Sequence, residues 1–332
     1  EQLAPLEPDE WLSPLFGSEF GYRTKARLGV KFVEKKGRLL VGFREKQKPF
    51  IADTDQCPII IERCKRLIPD LETLIEQLSI KRSIPQVELA AGDTDVALVF
   101  RHLELLDECD LELLREFSET TGFRIYLQSS GPDSVRKMFP ESAPNTLSYS
   151  VPEFDLTFQF GPMDFTQVNL TANREMISCA HKMLDLSGSD HVLDAFCGIG
   201  NFSLALARSA GRVTGLELSS VSIERARSNA RENGIQNVTF GVADLHTEAL
   251  ELPVNTDFNK ILLDPPRSGA EALVKGLDTR DVERVVYVSC NPETLARDAR
   301  ILCEQGFTLR SAGIINMFPH TTHVESIALF HR

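Results

Sequence analysis

The 332-residue sequence lacks any apolar run long enough to span a bilayer, and no basic segment followed by an apolar one stands near its start. Neither a helical membrane anchor nor a secretory leader is expected. It also lacks a basic excess: 36 Lys and Arg against 48 Asp and Glu leave a net charge of −12, which argues mildly against a nucleic-acid partner, DNA included. A disulfide framework is missing too. Seven cysteines, at 57, 64, 109, 179, 197, 290 and 303, are an odd number scattered over a long chain. That pattern suits a reducing cytoplasm and favours metal or catalytic roles over cross-links. Internal repeats and low-complexity tracts are absent. The chain opens on Glu1 rather than Met, which leaves room for residues upstream. What is present, 42% hydrophobic and 25% charged residues, is the composition of a soluble globular protein of one large or two ordinary domains.

Two patterns divide the chain. Residues 1–20 read as loop, with Pro5, Pro8 and Pro14 spaced through them. Residues 22–33 and 39–44 read as a hairpin, 58–78 as a helix broken near Pro69, and 87–90 with 96–103 as a second hairpin. A helix at 111–117, a strand at 123–127 and a long loop at 129–144 follow, without βαβ regularity, so this part is expected to be α+β. After Gly161-Pro162 the period changes. Residues 168–186 are helical, and strands at 191–195, 212–217, 238–242, 259–264, 284–289 and 307–314 then alternate with helices. A last apolar run, 324–330, follows another strand directly. Such alternation predicts an α/β domain with a mostly parallel, doubly wound sheet, the final pair forming an antiparallel edge. The expected domains are 1–160 and 161–332.

Four stretches carry chemistry. In the first, residues 191–202, a strand runs into Cys197-Gly198-Ile199-Gly200, whose glycines permit a tight turn and close approach of a ligand. The third glycine of a dinucleotide fingerprint is missing, which disfavours a nicotinamide cofactor. The next strand ends in Glu217, where a carboxylate can accept from both ribose hydroxyls. Asp194 adds negative charge suited to a sulfonium, and Asp244 can receive an adenine amino group. Together these favour S-adenosylmethionine. The second stretch, Asp264-Pro265-Pro266-Arg267, either places Asp264 between cofactor and substrate or simply terminates a strand. The third, Ser289-Cys290-Asn291-Pro292, sits on a strand-to-helix turn, so Cys290 is either a nucleophile or a small buried hydrophobe. In the fourth, His320, His323 and Glu325 could be read as metal ligands, but their spacing fits neither the helical His pair of zinc proteases nor a zinc finger, and Glu325 reads better as a general base.

Charge is uneven along the chain. Between residues 23 and 48 lie ten basic residues, Arg23, Lys25, Arg27, Lys31, Lys35, Lys36, Arg38, Arg44, Lys46 and Lys48, against Glu34 and Glu45. A phosphate-binding stripe and a solvated hairpin face are both open readings.

These motifs, with Phe165-Thr166-Gln167-Val168-Asn169 before them and Phe318-Pro319-His320 through Glu325 after, stand in the order of one family. The chain resembles the S-adenosylmethionine-dependent RNA uracil-5-methyltransferases from about Gly21 to its end, nearest the bacterial 23S ribosomal-RNA subgroup. The resemblance implies a class I (Rossmann-like) methyltransferase domain that methylates C5 of a uridine through a covalent cysteine–C6 adduct. It implies Cys290 as nucleophile and Glu325 as base. Gln167, Phe196, Asn201, Glu217, Asp244 and Asp264 become cofactor contacts, and Phe165 lies near the target base. Arg23, Lys25, Arg27 and Lys31 become RNA contacts, and a cytoplasmic monomer acting on ribosomal RNA is expected. A transfer-RNA enzyme, an amino-group methyltransferase and a non-catalytic RNA-binding protein are the alternatives. The subgroup also carries an N-terminal β-barrel and four cysteines holding a [4Fe–4S] cluster. Here Cys57-Pro58-Ile59 resembles the last of those ligands and the other three are absent, so no cluster is expected in this chain.

Overall fold

The computed structural model describes residues 6–45, 48, 50–247, 257–276 and 279–332. The chain forms two compact units whose segments interleave: residues 1–19, 150–158 and 169–332 make one, and residues 20–149 with 159–168 the other. The expected cut at 160 is thus replaced by an interleaved division. The reason is pairing: Glu10–Trp11 and Leu15–Phe16, in the stretch read as loop, are short strands that both hydrogen-bond to Thr308–Asn316.

In the first unit, one sheet runs in the order Glu10–Trp11, Thr308–Asn316, Glu325–His331, Arg284–Ser289, Lys260–Leu263, His191–Ala195, Arg212–Glu217, Val238–Val242. The five strands from Val238–Val242 to Arg284–Ser289 are parallel. Glu325–His331 runs antiparallel between Arg284–Ser289 and Thr308–Asn316, so the final pair closes this side of the sheet as expected, with only the two-residue strands Glu10–Trp11 and Leu15–Phe16 beyond it. The parallel strands are short apolar runs buried on both faces, as crossover helices require. Leu193, Leu216, Ile261, Val285 and Tyr287 pack with Leu295, Ala299 and Leu302 of the helix Pro292–Glu304. That helix starts where the sequence places it, with Pro292 in the first turn and the Asn291 side chain accepting from the Glu293 N–H. Strand order reverses beside His191–Ala195, whose neighbours are the second and fourth parallel strands. A crevice at such a switch point, at the strands' carboxyl ends, is where this architecture binds ligands.

The second unit is an α+β fold. Its sheet runs Arg38–Gly42, Lys25–Val33, Gln86–Ala91, Val96–Arg101, Arg124–Gln128, Arg136–Phe139. Only Val96–Arg101 and Arg124–Gln128 pair in parallel, and the helix Glu108–Thr121 connects them. Leu28, Val30, Leu89, Leu98 and Phe100 form the buried face with Leu71 and Ile75 of the helix Leu67–Gln77. Two expectations change here. Arg136–Phe139, within the predicted long loop, pairs with Ile125–Leu127 and extends the sheet. Pro69 does not break its helix, because it lies in the first turn, where no N–H is needed; the break precedes Leu67. Among the described residues no helix is long and apolar enough to cross a membrane.

Candidate active site

The glycine loop leaves the His191–Ala195 strand through three residues of positive φ: Phe196 (66°), Gly198 (54°) and Gly200 (88°). A bulky residue in that region is strained. The Phe196 ring centroid lies 5.3 Å from that of His246. A Cβ at Gly198 would meet nothing within 4 Å, so the backbone there borders open space. Its N–H points to Glu217 Oε2 at 3.4 Å, while Glu217 Oε1 accepts from the Ser219 N–H at 2.9 Å. Asp244 is exposed and accepts from the His246 N–H at 2.9 Å. Asn201 is held from behind: its amide and that of Asn173 exchange two hydrogen bonds, 2.8 and 3.1 Å. Sequence reasoning missed Asn173, and it missed Gly215. A Cβ on Gly215 would come within 2.6 Å of the Phe240 ring and 3.0 Å of Cys197 Sγ, so only glycine lets the loop seat on this strand. A lone glycine inside a strand pattern was the available signal.

Asp194 is fully buried. One carboxyl oxygen accepts from the Ser203 hydroxyl and the other, Oδ1, has no partner among the described residues. Burial above all, with the Glu217 charge adding, pushes this carboxyl up to about 7. A buried, unpartnered carboxyl oxygen beside an open glycine and a second carboxylate suits a ligand bearing a positive charge and hydroxyls. A pyrophosphate would meet repulsion here.

The antiparallel ladder pairs Ser289 with Ser326, so the next position outward sets Cys290 opposite Glu325. In the parallel ladder Leu263 pairs with Tyr287, and Asp264 follows at the same end of the sheet. Glu325 is buried and its Oε2 has no partner among the described residues; burial pushes the carboxyl up to about 7. Asp264 is held well above the usual carboxylate range by burial, then by Glu325 and Asp194. The half-buried Cys290 thiol is raised by burial and by the Glu325 and Asp264 charges, with Arg267 opposing. Arg267 Nη2 donates to His323 Nδ1 at 2.6 Å.

A further group, unassigned by the motifs, ties the loops together. Asp298 is fully buried on the helix after Cys290. It accepts from the Tyr287 hydroxyl (2.6 Å), the Ala270 N–H (2.7 Å) and Arg297 Nε (2.8 Å). The Arg267 carbonyl in turn accepts from Asn291 Nδ2 at 3.0 Å. An acid on the apolar stripe of Leu295, Ala299 and Leu302 was its sequence signal.

The other unit holds the remaining expected residues. Phe165 is 76% exposed and Gln167 is buried. Arg23 bridges to Ile60 and its Nε is buried without a partner. Lys25 donates to the Asp164 carbonyl and lies 5.9 Å from the Phe160 ring centroid; burial lowers it to about 8. Arg27 pairs with Glu88 at 3.1 Å, Lys36 with Asp53, Arg38 with Asp53 and Glu72, and Lys48 with Glu45. The basic excess counted along the sequence is thus corrected in space, because Asp53, Glu72 and Glu88 come from other parts of the chain. Lys31 and Arg44 are exposed, and Lys46 lies outside the described residues.

A sheet of this order, with a glycine loop and an acid-ended second strand at its switch point, defines a class I, Rossmann-like methyltransferase fold. The family model described as tRNA (Uracil-5-)-methyltransferase matches residues 5–332, and the chain belongs to that family. It is therefore an RNA uracil-C5-methyltransferase. The 23S rRNA (uracil(1939)-C(5))-methyltransferase RlmD of Hahella chejuensis is 50% identical over 333 residues, covering 98% of this chain and 74% of that protein. The protein of the same name from Legionella pneumophila (strain Corby) is 49% identical, again over 98% and 74%. Among solved structures, the Pyrococcus abyssi tRNA (uracil-54, C5)-methyltransferase in complex with S-adenosyl-L-homocysteine matches with a TM-score of 0.74 and 26% identity, over 94% of this chain and 76% of that one.

Proposed function

We propose that this chain, acting as a cytoplasmic monomer, methylates one uridine of 23S ribosomal RNA at C5, with S-adenosylmethionine as donor and Cys290 and Glu325 as its covalent and proton-transfer groups. The observation that carries the chemistry is the strand register that sets the thiol opposite a buried carboxyl with an unpartnered oxygen. The ribosomal target is favoured by the relatives' names. Incubating the protein with labelled donor and either 23S ribosomal or transfer RNA, then mapping 5-methyluridine, tests this reading. Label in transfer RNA alone would replace it with the second one.

Bound S-adenosylmethionine supplies an electrophilic methyl group on a sulfonium. Phe196, Asn201, Glu217, Asp244 and Asp264 are proposed to hold it, with Glu217 on the ribose, Asp244 on the adenine and Asp194 lending charge. For Gln167 and Phe165 the motif, rather than geometry, carries the proposed roles. The half-buried Cys290 thiol gives its proton to solvent and its sulfur adds to C6 of the uracil. The C5–C6 π electrons shift toward the O4 carbonyl, which makes C5 nucleophilic. Once C5 carries its methyl group, Glu325 removes the C5 proton, the double bond re-forms, and Cys290 leaves as thiolate. General-base help of this kind is worth about 10²–10⁴-fold. The uridine must leave its stack for either face to be reached. Cys57 stands in no group of three metal-binding side chains among the described residues, so no cluster chemistry is derived for this chain.

The carboxylates give two expected outcomes. Glu217→Ala is expected to weaken S-adenosylmethionine binding by roughly 1.5–3 kcal/mol, the range for hydrogen bonds to a charged group. Equal affinities in calorimetry would take Glu217 out of the site. The second outcome concerns pH. Asp194 and Glu325 both sit near 7 when folded, against ordinary values of 3.8 and 4.5. The folded protein therefore binds more protons than the unfolded chain across that interval, and stability falls as pH rises from about 4.5 to about 7. Glu325→Gln should flatten part of this fall in thermal unfolding of the ligand-free protein. An identical fall in the variant would show that Glu325 is not a cause.

A further inference from the structure

The covalent scheme needs a thiolate, and most of what surrounds Cys290 opposes one. Burial, the Glu325 carboxyl opposite and the Asp264 carboxyl at the same end of the sheet all resist ionisation of the thiol. Arg267 is the cation that acts against them. Its main chain is fixed beside the nucleophile. The Arg267 carbonyl accepts from Asn291 Nδ2 at 3.0 Å, and Asn291 directly follows Cys290. Thr294 Oγ1, in the first turn of the helix Pro292–Glu304, donates to the same carbonyl at 3.4 Å. The side chain is fixed on the other strand. Arg267 Nη2 donates to His323 Nδ1 at 2.6 Å, and His323 stands two residues before Glu325. An arginine only donates, so His323 accepts at Nδ1. Its ring is set edge-on to Phe318, with centroids 5.9 Å apart. Arg267 thus links the strand end that carries the thiol to the one that carries the carboxyl.

Pairing separates this arginine from others of the same unit. Arg212 is held by Asp257, Arg227 by Glu224, Arg284 by Asp185, Arg297 by Glu271 and Asp298, and Arg310 by Asp9. Among the described residues no carboxylate pairs with Arg267, whose side chain meets a ring nitrogen instead. A guanidinium is charged at every working pH, and an imidazole nitrogen fixes its direction without neutralising it. The charge is therefore left for a group that the protein does not pair with it beforehand.

We propose that Arg267 is the positioning residue of the nucleophile: its guanidinium, directed by His323, supplies the positive charge that keeps Cys290 available as thiolate. The proposal rests on the reading of Cys290 as nucleophile and adds what activates it. The thiol proton leaves to solvent, and the charge left on sulfur is met by Arg267. Neighbouring arginines favour thiolates in this way, and thiolate is the form that attacks.

The test reads the thiol without RNA. Cys290 of the ligand-free protein is alkylated with iodoacetamide over a pH series and followed by peptide mass spectrometry, with the exposed Cys109 as internal reference. Arg267→Gln keeps the main-chain anchor and is expected to move the Cys290 midpoint upward by about one pH unit, a tenfold loss of thiolate at fixed pH. Arg267→Lys should restore most of that shift, and Glu325→Gln should move the midpoint the other way. Arg310→Gln, whose partner is Asp9, should move nothing. Turnover of Arg267→Gln on RNA should drop about tenfold near neutral pH and recover in alkali. Thermal unfolding reports that each variant is folded. An unmoved Cys290 midpoint in folded Arg267→Gln would overturn the proposal. So would an Arg267→Lys protein shifted as far as Arg267→Gln, since the role would then be structural. Failure of the wild type to methylate RNA would instead strike the function proposed above, and the alkylation series keeps the two failures apart.

Discussion

Glu325→Gln protein, mixed with RNA substrate and donor carrying a labelled methyl group, is expected to accumulate a protein–RNA species that survives denaturing electrophoresis and carries the label. The proposed scheme gives the two residues separate roles. Cys290 stands at the end of one strand and Glu325 at the start of its antiparallel partner, opposite each other in the register. Addition at C6 needs the sulfur, whereas proton removal from C5 needs only a basic oxygen, and Glu325 Oε2 has no partner among the described residues. An amide at 325 keeps the shape but cannot take the proton, so the reaction stalls after methyl transfer with its C6–S bond intact. Turnover should drop by about 10²–10⁴-fold, the usual worth of a general base. Cys290→Ala should form no adduct and give no product. Substrate with fluorine at C5 should trap the wild type in the same way, because fluorine cannot leave as a cation. Retained turnover without trapping in Glu325→Gln would reassign the base, and full activity in Cys290→Ala would sink the covalent scheme.

The second large effect is expected at Asp298, buried on the helix that follows Cys290. Asp298→Ala removes one carboxylate and strands three donors: the Tyr287 hydroxyl, the Ala270 N–H and Arg297 Nε. Tyr287 is fully buried, so no water replaces the missing acceptor without a cavity. A buried donor left without its acceptor costs about 1–3 kcal/mol, which applies to the Tyr287 hydroxyl and the Ala270 N–H, while the partly exposed Arg297 keeps Glu271; denaturant unfolding should show a loss of that order. Tyr287→Phe removes a single donor and should cost much less, near the 0.5–1.5 kcal/mol of one net hydrogen bond, or up to about 3 for a charged acceptor. Gly269→Ala supplies an independent approach. A Cβ there, at φ 79°, would sit 2.7 Å from Asp298 Oδ2 and 2.5 Å from Arg297 Nη2, driving the loop off its anchor. Activity should fall with stability in all three variants, since the anchored loop also carries Asp264 and Arg267. An Asp298→Ala protein as stable as wild type would show that the three bonds do not hold the site together.

Local pattern carried much of this. The alternating buried runs from residue 191 onward, the glycine turn, Asp-Pro-Pro and the proline after Cys290 each act through backbone geometry within a few residues, and each was legible for that reason. The order of the motifs pointed to the family, and the strand-to-helix turn put Cys290 at a carboxyl end of the sheet. Three things were not legible. Arg136–Phe139 is too short and too polar to stand out from a turn-rich stretch, and only its pairing with Ile125–Leu127 makes it a strand. The strands within residues 10–16 exist because Thr308–Asn316 offers them an edge some three hundred residues away. The basic stripe looked unopposed because Asp53, Glu72 and Glu88 approach it only after folding.

Sequence by itself determined the periodicity, the strand-to-helix turns and the residue types at each loop, since these depend on backbone sterics and side-chain chemistry close along the chain. Tertiary structure alone decided that Cys290 faces Glu325, because register is a property of two strands and not of either one. It also decided that Asp194 and Glu325 are held near 7, since burial and neighbouring charge set a carboxyl's affinity for its proton. And it decided which cations remain unpaired, because Coulomb interaction follows distance in space rather than separation along the chain.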